Sequence, residues 1–307
     1  MRKQHIWKIF FIGLVSTSLA IWLLVEPNHI QSKRAIFPWL SKGVTNQMQS
    51  KRTIFSWSSN EVTNNQRQLL NDLTEYDFDR VFQSFSTRLT NEEITSFVSA
   101  ITNQNIDVYG LFGTPEWSLD PTGKGMIKRL NRIVEINHQL PENQKIKGLV
   151  MDVEPYGLDD FNWDDRAVQQ SYISGMKHLY QATKQEGLEL IVVVPYFFET
   201  KGYQEVLQTI IREASSEVAV MNYYRNHEIK HLAFEAEEAR KVNKPLTTIY
   251  EFKRPGEHGL TEKNTYFNEG RTAMEENAEC LKQHYENQVV HIAYHDYQAF
   301  REVLNNE

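Results

Sequence analysis

The feature of this sequence that most constrains its fold is a regular alternation of short apolar runs with longer amphipathic stretches after residue 50. The runs are rich in β-branched and aromatic residues and have the length of buried strands. They lie at 53–57, 80–85, 106–112, 146–152, 188–195, 218–223, 246–251 and 289–294. Between them, the stretches at 91–102, 166–186 and 267–286 have the spacing of amphipathic helices.

Local signals mark the ends of these helices. Asn91 and Asp164 stand where N-caps are expected, and Gly187 stands where a helix should stop. Strands that alternate with helices form a parallel sheet, and eight such units can close on themselves. The sequence therefore predicts a (β/α)8 TIM barrel over residues 51–307, with an open doubly wound sheet as the alternative. Because no strand is followed by Gly-x-Gly-x-x-Gly, no dinucleotide site is expected, and we predict no cofactor.

The N-terminus has the layout of a signal anchor. Arg2, Lys3 and Lys8 precede an apolar run over 9–25, which is just long enough to span a bilayer. Positive charges before the run favour export of everything that follows it. We therefore expect residues 1–27 to be a single-pass membrane anchor of an extracytoplasmic domain. The small residues around Ala20 leave secretion after cleavage as the alternative.

Residues 28–50 are polar and lack clear periodicity, as a linker does. They contain a partial duplication, since 32–39 resembles 50–57 at a spacing of eighteen residues. Two copies are too few for a solenoid, so we interpret the second copy as the start of the barrel. The formal net charge of −7, without a basic patch, argues against a nucleic-acid partner.

Carboxyl groups stand at the ends of two predicted strands. Asp152 and Glu154 are two residues apart, so they should share a face of the strand with Val150. Two acids in a confined barrel mouth compete for a proton, and a protonated carboxyl can donate to a leaving oxygen. We predict Glu154 as the general acid and Asp152 as the group that tunes and orients it. Glu251 ends another apolar strand and is a candidate nucleophile.

Aromatic residues follow the predicted strand ends, where flat rings with polar tips suit the apolar faces of sugars. The expected substrate contacts of this type are Trp57, Trp117, Tyr156, Tyr196, Tyr224 and Tyr294. His291 and His295 could share a strand face, but no convincing third ligand accompanies them, so we predict no metal site.

Two short segments resemble the family-18 chitinase-like glycoside hydrolases. Asp152-Val153-Glu154 is similar to the end of their Asp-x-Glu motif, and Met221-Asn222-Tyr223 is similar to their Met-x-Tyr segment. The resemblance implies that Glu154 is the acid, that Asp152 positions the acetamido group of the substrate, and that Tyr223 supports that group. Asn222 is expected to contact the substrate as well.

The sequence departs from that family at several positions. Val150 and Lys147 stand where further aspartates are expected, Tyr224 replaces another, and the family's tryptophan on strand eight has no clear match. A second resemblance is to the large barrel clan of retaining glycosidases, in which Glu154 would be the acid/base and Glu251 the nucleophile.

The sequence therefore favours a glycoside hydrolase-like enzyme that cleaves an extracellular or cell-surface polysaccharide. A non-catalytic carbohydrate-binding barrel is one alternative. A metal-dependent polysaccharide deacetylase, suggested by His291 and His295, is another.

Overall fold

A computed structural model describes residues 50–306 of the chain. Eight parallel strands in sequence order form a closed barrel, in which β1 pairs with both β2 and β8. The strands are β1 Arg52–Ser56, β2 Arg80–Ser84, β3 Asp107–Phe112, β4 Gly148–Met151, β5 Glu189–Pro195, β6 Glu217–Met221, β7 Leu246–Glu251 and β8 Val290–His295. The predicted (β/α)8 barrel is confirmed, and the open sheet is excluded because the β1–β8 pairing closes the ring.

Helices follow the strands and surround the barrel. They are α1 Asn60–Thr63, α2 Gln66–Glu75, α3 Asn91–Thr102, α4 Lys124–Asn137, α5 Arg166–Gln185, α6 Gln204–Glu213, α7 Glu228–His231, α8 Ala233–Lys241, α9 Gly270–His284 and α10 Tyr297–Leu304. The connections after β3, β4, β5 and β7 each contain a short 3-10 turn.

The two predicted N-caps are displaced by one residue. Thr90, not Asn91, caps α3 by a reciprocal capping box with Glu93. Asp165, not Asp164, caps α5 through its side chain. Gly187 follows the end of α5 with φ +68°, a conformation that glycine adopts without a steric penalty, as expected from the sequence.

The apolar core has two layers because alternate strand residues point to opposite sides of the barrel wall. One layer packs between the strands and the helices. The other fills the barrel itself and includes Phe55, Val150 and Ile249. At its N-terminal end, Arg80 pairs with Glu217 at 2.9 Å, and both are buried. This closed end leaves the opposite mouth as the place for chemistry.

The predicted anchor at 1–27 and nearly all of the predicted linker at 28–50 lie outside the described residues. Within residues 50–306, the structure contains no helix that is both long and apolar enough to cross a membrane.

Candidate active site

A cavity of about 550 Å³ opens at the C-terminal mouth of the barrel. Its walls come from the ends of β1, β4, β5, β6, β7 and β8 and from the loop after β7. The lining residues are Trp57, Asp152, Glu154, Tyr156, Pro195, Tyr196, Phe197, Met221, Tyr223, Glu251, Lys253, His258, Gly259, Leu260, Asn264 and His295. All four predicted catalytic residues are therefore brought together in one cavity.

The phase of β4 directs its two acids into this cavity. Val150 is part of the core inside the barrel, so the alternate positions that follow it face the mouth. The backbone N–H of Asp152 donates to the Phe112 carbonyl at 2.8 Å, which extends the β3–β4 pairing one residue beyond the strand. At the end of β3, a Cβ on Gly113 would lie 1.9 Å from the Asp152 carbonyl oxygen. Glycine at 113 therefore permits the close approach that sets the position of Asp152.

Asp152 is partly protonated near neutral pH. Burial is the main reason that its pKa rises from 3.8 to about 7, and the charge of Glu154 adds to the effect. Its Oδ1 is buried and has no hydrogen-bond partner among the described residues. Because Asp152 and Glu154 cannot both ionise freely, these surroundings favour the protonated form of Asp152.

Glu154 is held by an aromatic neighbour. The Tyr156 hydroxyl donates to Glu154 Oε1 at 2.6 Å, and the Tyr156 ring stacks on Trp163 with centroids 6.1 Å apart. One turn of α5 supports the same segment, since the Tyr172 hydroxyl donates to the Val153 carbonyl. The phenol and the stacked ring thus fix the direction in which Glu154 points.

Glu251 is nearly inaccessible, and both of its oxygens are engaged. Oε1 accepts the backbone N–H groups of Phe252 and Lys253, each at 2.9 Å. Oε2 lies 3.0 Å from Nδ1 of His295. Only 3% of the Glu251 surface is exposed, which leaves little room for attack on a sugar carbon. These surroundings favour an orienting role over the nucleophilic role expected from the sequence.

Tyr223 lies among the carboxyl groups of the cavity. Burial raises its pKa well above the ordinary value, and the charge of Glu251 and then of the two acids on β4 raises the pKa further. Its hydroxyl is therefore a neutral hydrogen-bond donor. The Asn264 side chain donates to the Tyr223 carbonyl at 2.7 Å and fixes the segment after β6.

Four residues expected to contact substrate do not line the cavity. Asn222 and Tyr294 alternate with cavity-facing neighbours, so strand phase turns them outward. Asn222 donates to the Glu228 carbonyl, and Tyr294 is buried with its hydroxyl on Glu275.

Tyr224 and Trp117 lie outside the cavity because the loops that carry them direct their rings elsewhere. Tyr224 packs its ring against His227 and His231 of the segment around α7. Trp117 lies in the 3-10 turn after β3, where Arg129 covers its ring. The predicted contacts Trp57, Tyr156 and Tyr196 do line the cavity.

Sequence reasoning missed the contribution of the loop after β7. Lys253, His258 and Asn264 line the cavity from this loop. Lys253 also pairs with Asp296 at 3.2 Å. Strand phase could have identified Lys253, because it lies two residues beyond Glu251. His258 and Asn264 carry no comparable signal, since the path of an irregular loop decides where they point.

The two histidines of β8 lie at opposite ends of the barrel. His291 and His295 are four positions apart on the strand, or about 13 Å. His291 sits at the closed end, where it accepts the backbone N–H of Lys51. Burial lowers the pKa of His291 to about 4, so it is neutral. Among residues 50–306, no group of three or more His, Cys, Asp or Glu side chains is arranged to hold a metal ion.

The closed (β/α)8 barrel with acidic and aromatic residues at its mouth is the architecture to compare with solved structures. The sequence itself matches no protein-family model and is not significantly similar to any curated protein. The fold is similar to that of a GH18 chitinase from Cycas revoluta in complex with (GlcNAc)3, with a TM-score of 0.51 at 10% identity over 84% of this chain and 98% of the other.

Two further solved structures match with lower TM-scores. A GH18 chitinase from Pseudoalteromonas aurantia has a TM-score of 0.47 at 11% identity, covering 84% of this chain and 100% of that one. A D-psicose 3-epimerase from Clostridium cellulolyticum H10 has a TM-score of 0.49 at 12% identity, covering 83% and 91%. At such low identity, the similarity to the Cycas enzyme concerns the fold.

Proposed function

We propose that this protein is a glycoside hydrolase that acts on a polysaccharide or oligosaccharide containing N-acetylated amino sugars. The observation that carries the proposal is that Asp152 and Glu154 line one aromatic cavity at the barrel mouth, where burial and the charge of Glu154 raise the pKa of Asp152 to about 7. The fold shared with a chitinase that was crystallised with (GlcNAc)3 supports the choice of sugar.

In this proposal, Glu154 protonates the leaving glycosidic oxygen. It lies farther along the chain from the barrel interior than Asp152 and is aimed by the Tyr156 hydroxyl. At rest Asp152 is partly protonated near neutral pH, because burial and the charge of Glu154 outweigh the opposing charges of His295 and Lys253 and raise its pKa to about 7. When a bound substrate excludes water, the proton moves from Asp152 to Glu154 and then to the leaving oxygen. Asp152 is then the anion.

The acetamido oxygen of the substrate, not Glu251, attacks the sugar carbon as its bond to the leaving oxygen breaks and Glu154 protonates that oxygen. Water then opens the resulting oxazolinium ring, and the proton released returns to the pair Asp152 and Glu154. Only 3% of the Glu251 surface is exposed, and its two oxygens are directed at backbone N–H groups and at His295, so a sugar carbon has little access to this carboxylate. The neutral hydroxyl of Tyr223, placed among the acids, is available to orient the acetamido group. A sugar without that group should therefore be a poor substrate.

The decisive experiment uses Glu154→Gln, which keeps the shape of the side chain and removes its acidity. We expect the release of new reducing ends from N-acetylchitooligosaccharides to fall by about a thousandfold or more, within the range of lost acid catalysis, while the melting curve stays nearly unchanged. Glu116→Gln is the matched control, because Glu116 is exposed on the loop after β3 and does not line the cavity. Full activity in Glu154→Gln would overturn the assignment.

A non-catalytic sugar-binding barrel is the second candidate, and the engaged state of Glu251 favours it, because the cavity then lacks a free protein nucleophile. Calorimetry beside the product assay separates the two functions. Binding of (GlcNAc)3 without turnover of any longer N-acetylated or plain oligosaccharide would establish the binding function.

We also propose that the barrel acts outside the cytoplasm, tethered by the apolar segment at 9–25. The support is the charge pattern of the N-terminal sequence alone. Digestion of intact cells by an added protease should remove the barrel domain. Its survival until the cells are lysed would contradict this location.

A further inference from the structure

Trp57 is held in the cavity wall by a chain of hydrogen bonds that begins in the backbone of β7. Its indole Nε1–H donates to Nε2 of His295 at 3.1 Å. The other ring nitrogen of His295 faces Glu251 Oε2 at 3.0 Å. Glu251 itself is fixed by two backbone N–H groups. Glu251 and His295 therefore connect the backbone at the end of β7 to the Trp57 ring in the cavity wall.

The indole N–H of Trp57 determines which protonation state of His295 fits this contact. An indole nitrogen only donates, so Nε2 of His295 must offer its lone pair. The proton of the neutral imidazole then lies on Nδ1 and is donated to Glu251. A doubly protonated His295 would point an N–H at the N–H of Trp57, and the contact between the two rings would be lost.

The charges around His295 oppose one another. Burial disfavours its protonated form, but the charge and hydrogen bond of Glu251, with the charge of Asp296, raise its pKa overall. Lys253 and the indole donor act against protonation. A charge on His295 lowers the pKa of Asp152. The centroid of the Tyr223 ring lies 5.9 Å from that of the imidazole.

We propose that Glu251 and His295 form a positioning dyad that holds the Trp57 indole as a platform for a sugar ring and releases it when His295 gains a second proton. The platform role rests on the proposed function, whereas the positioning of Trp57 does not. Trp57 is only partly buried, so one part of its surface remains available to a ligand. His295 acts through Trp57 and is a positioning residue.

The position of Trp57 can be followed directly in the full chain by ¹⁹F NMR with 5-fluorotryptophan, with Trp57→Phe used to assign its resonance. In the wild type, we expect this resonance to move as the pH falls through the titration of His295. His295→Gln supplies a non-titrating acceptor, so its Trp57 resonance should stay at the alkaline position at every pH. His295→Leu has no acceptor and should show the released position throughout.

His178→Gln is the matched control, since His178 is exposed and bonds to the Pro121 carbonyl on the outside of the barrel. Its spectrum should follow the wild type. A Trp57 resonance that ignores both pH and His295→Leu would overturn the dyad.

Binding of (GlcNAc)3 by calorimetry tests the platform role separately. His295→Leu should weaken binding about tenfold relative to the wild type at alkaline pH, the equivalent of one positioned aromatic contact. His295→Gln should retain wild-type affinity and should not lose it at acid pH. If the resonances behave as expected but the affinities of both variants equal that of the wild type, the dyad stands and the platform is refuted. Absence of any sugar binding would instead refute the proposed function.

Discussion

Replacing Asp152 by asparagine should stabilise the protein, and should do so increasingly as the pH rises. The folded state holds a proton on Asp152 that the unfolded state has already lost, since burial and Glu154 raise the pKa from 3.8 to about 7. The wild type therefore loses stability from this group as the pH rises between these two values. Asparagine has nearly the same shape and no proton to lose.

The size of the effect follows from the difference in pKa. A pKa raised from 3.8 to about 7 corresponds to about 4 kcal/mol at 1.36 kcal/mol for each pH unit. Asp152 keeps part of its surface in contact with solvent, and screening reduces this to about 2 kcal/mol. We therefore expect Asp152→Asn to exceed the wild type in free energy of unfolding by about 2 kcal/mol above pH 7, and by little near pH 4.

Urea denaturation followed by circular dichroism, repeated between about pH 4 and pH 9, measures this difference. Asp160→Asn is the matched control, because Asp160 is an exposed aspartate on the same loop between β4 and α5. Its difference from the wild type should not change with pH. If the advantage of Asp152→Asn were constant with pH, or if the variant were destabilised at alkaline pH, the shared proton would not lie on Asp152.

Two further predictions test the support of the acid and the closed end of the barrel. Tyr156→Phe removes the 2.6 Å hydrogen bond to Glu154 and should lower kcat/KM on N-acetylchitooligosaccharides by about tenfold or more, with little change in melting temperature; unchanged kinetics would show that Tyr156 does not aim Glu154. Arg80→Met leaves the buried Glu217 without its guanidinium partner and should lower the free energy of unfolding in urea by about 3–5 kcal/mol. Most of this loss should be recovered in the double variant with Glu217→Gln. A loss below about 1 kcal/mol would contradict a buried ion pair.

Much of the architecture was predictable because it depends on local periodicity. All eight predicted strands are present, and the strand predicted at 246–251 has the same bounds in the structure. Errors of one residue at Asn91 and Asp164 arose because threonine and aspartate one position away provide the capping oxygen. The phase of β4 likewise placed Asp152 and Glu154 on the cavity side from sequence alone.

The parts of the site that escaped prediction depend on contacts between distant segments. The predicted strand ends correctly indicated where aromatic rings accumulate. They did not indicate whether each ring lies on the cavity side or the helix side of the barrel wall. Tyr294 is one residue before His295, and this difference alone turns it into the helical layer. Lys253 and His258 enter the cavity because the loop after β7 folds over it.

The sequence by itself determined the repeating strand–helix units and the direction of the two acids on β4, because both follow from spacing along a single strand or helix. Only the tertiary structure decided that the pKa of Asp152 is raised, that Glu251 faces His295, and that Trp57 donates to the other ring nitrogen of His295. Those relations join β1, β4, β7 and β8, and the pKa and hydrogen-bond state of each group depend on which neighbours the closed barrel brings within a few ångströms.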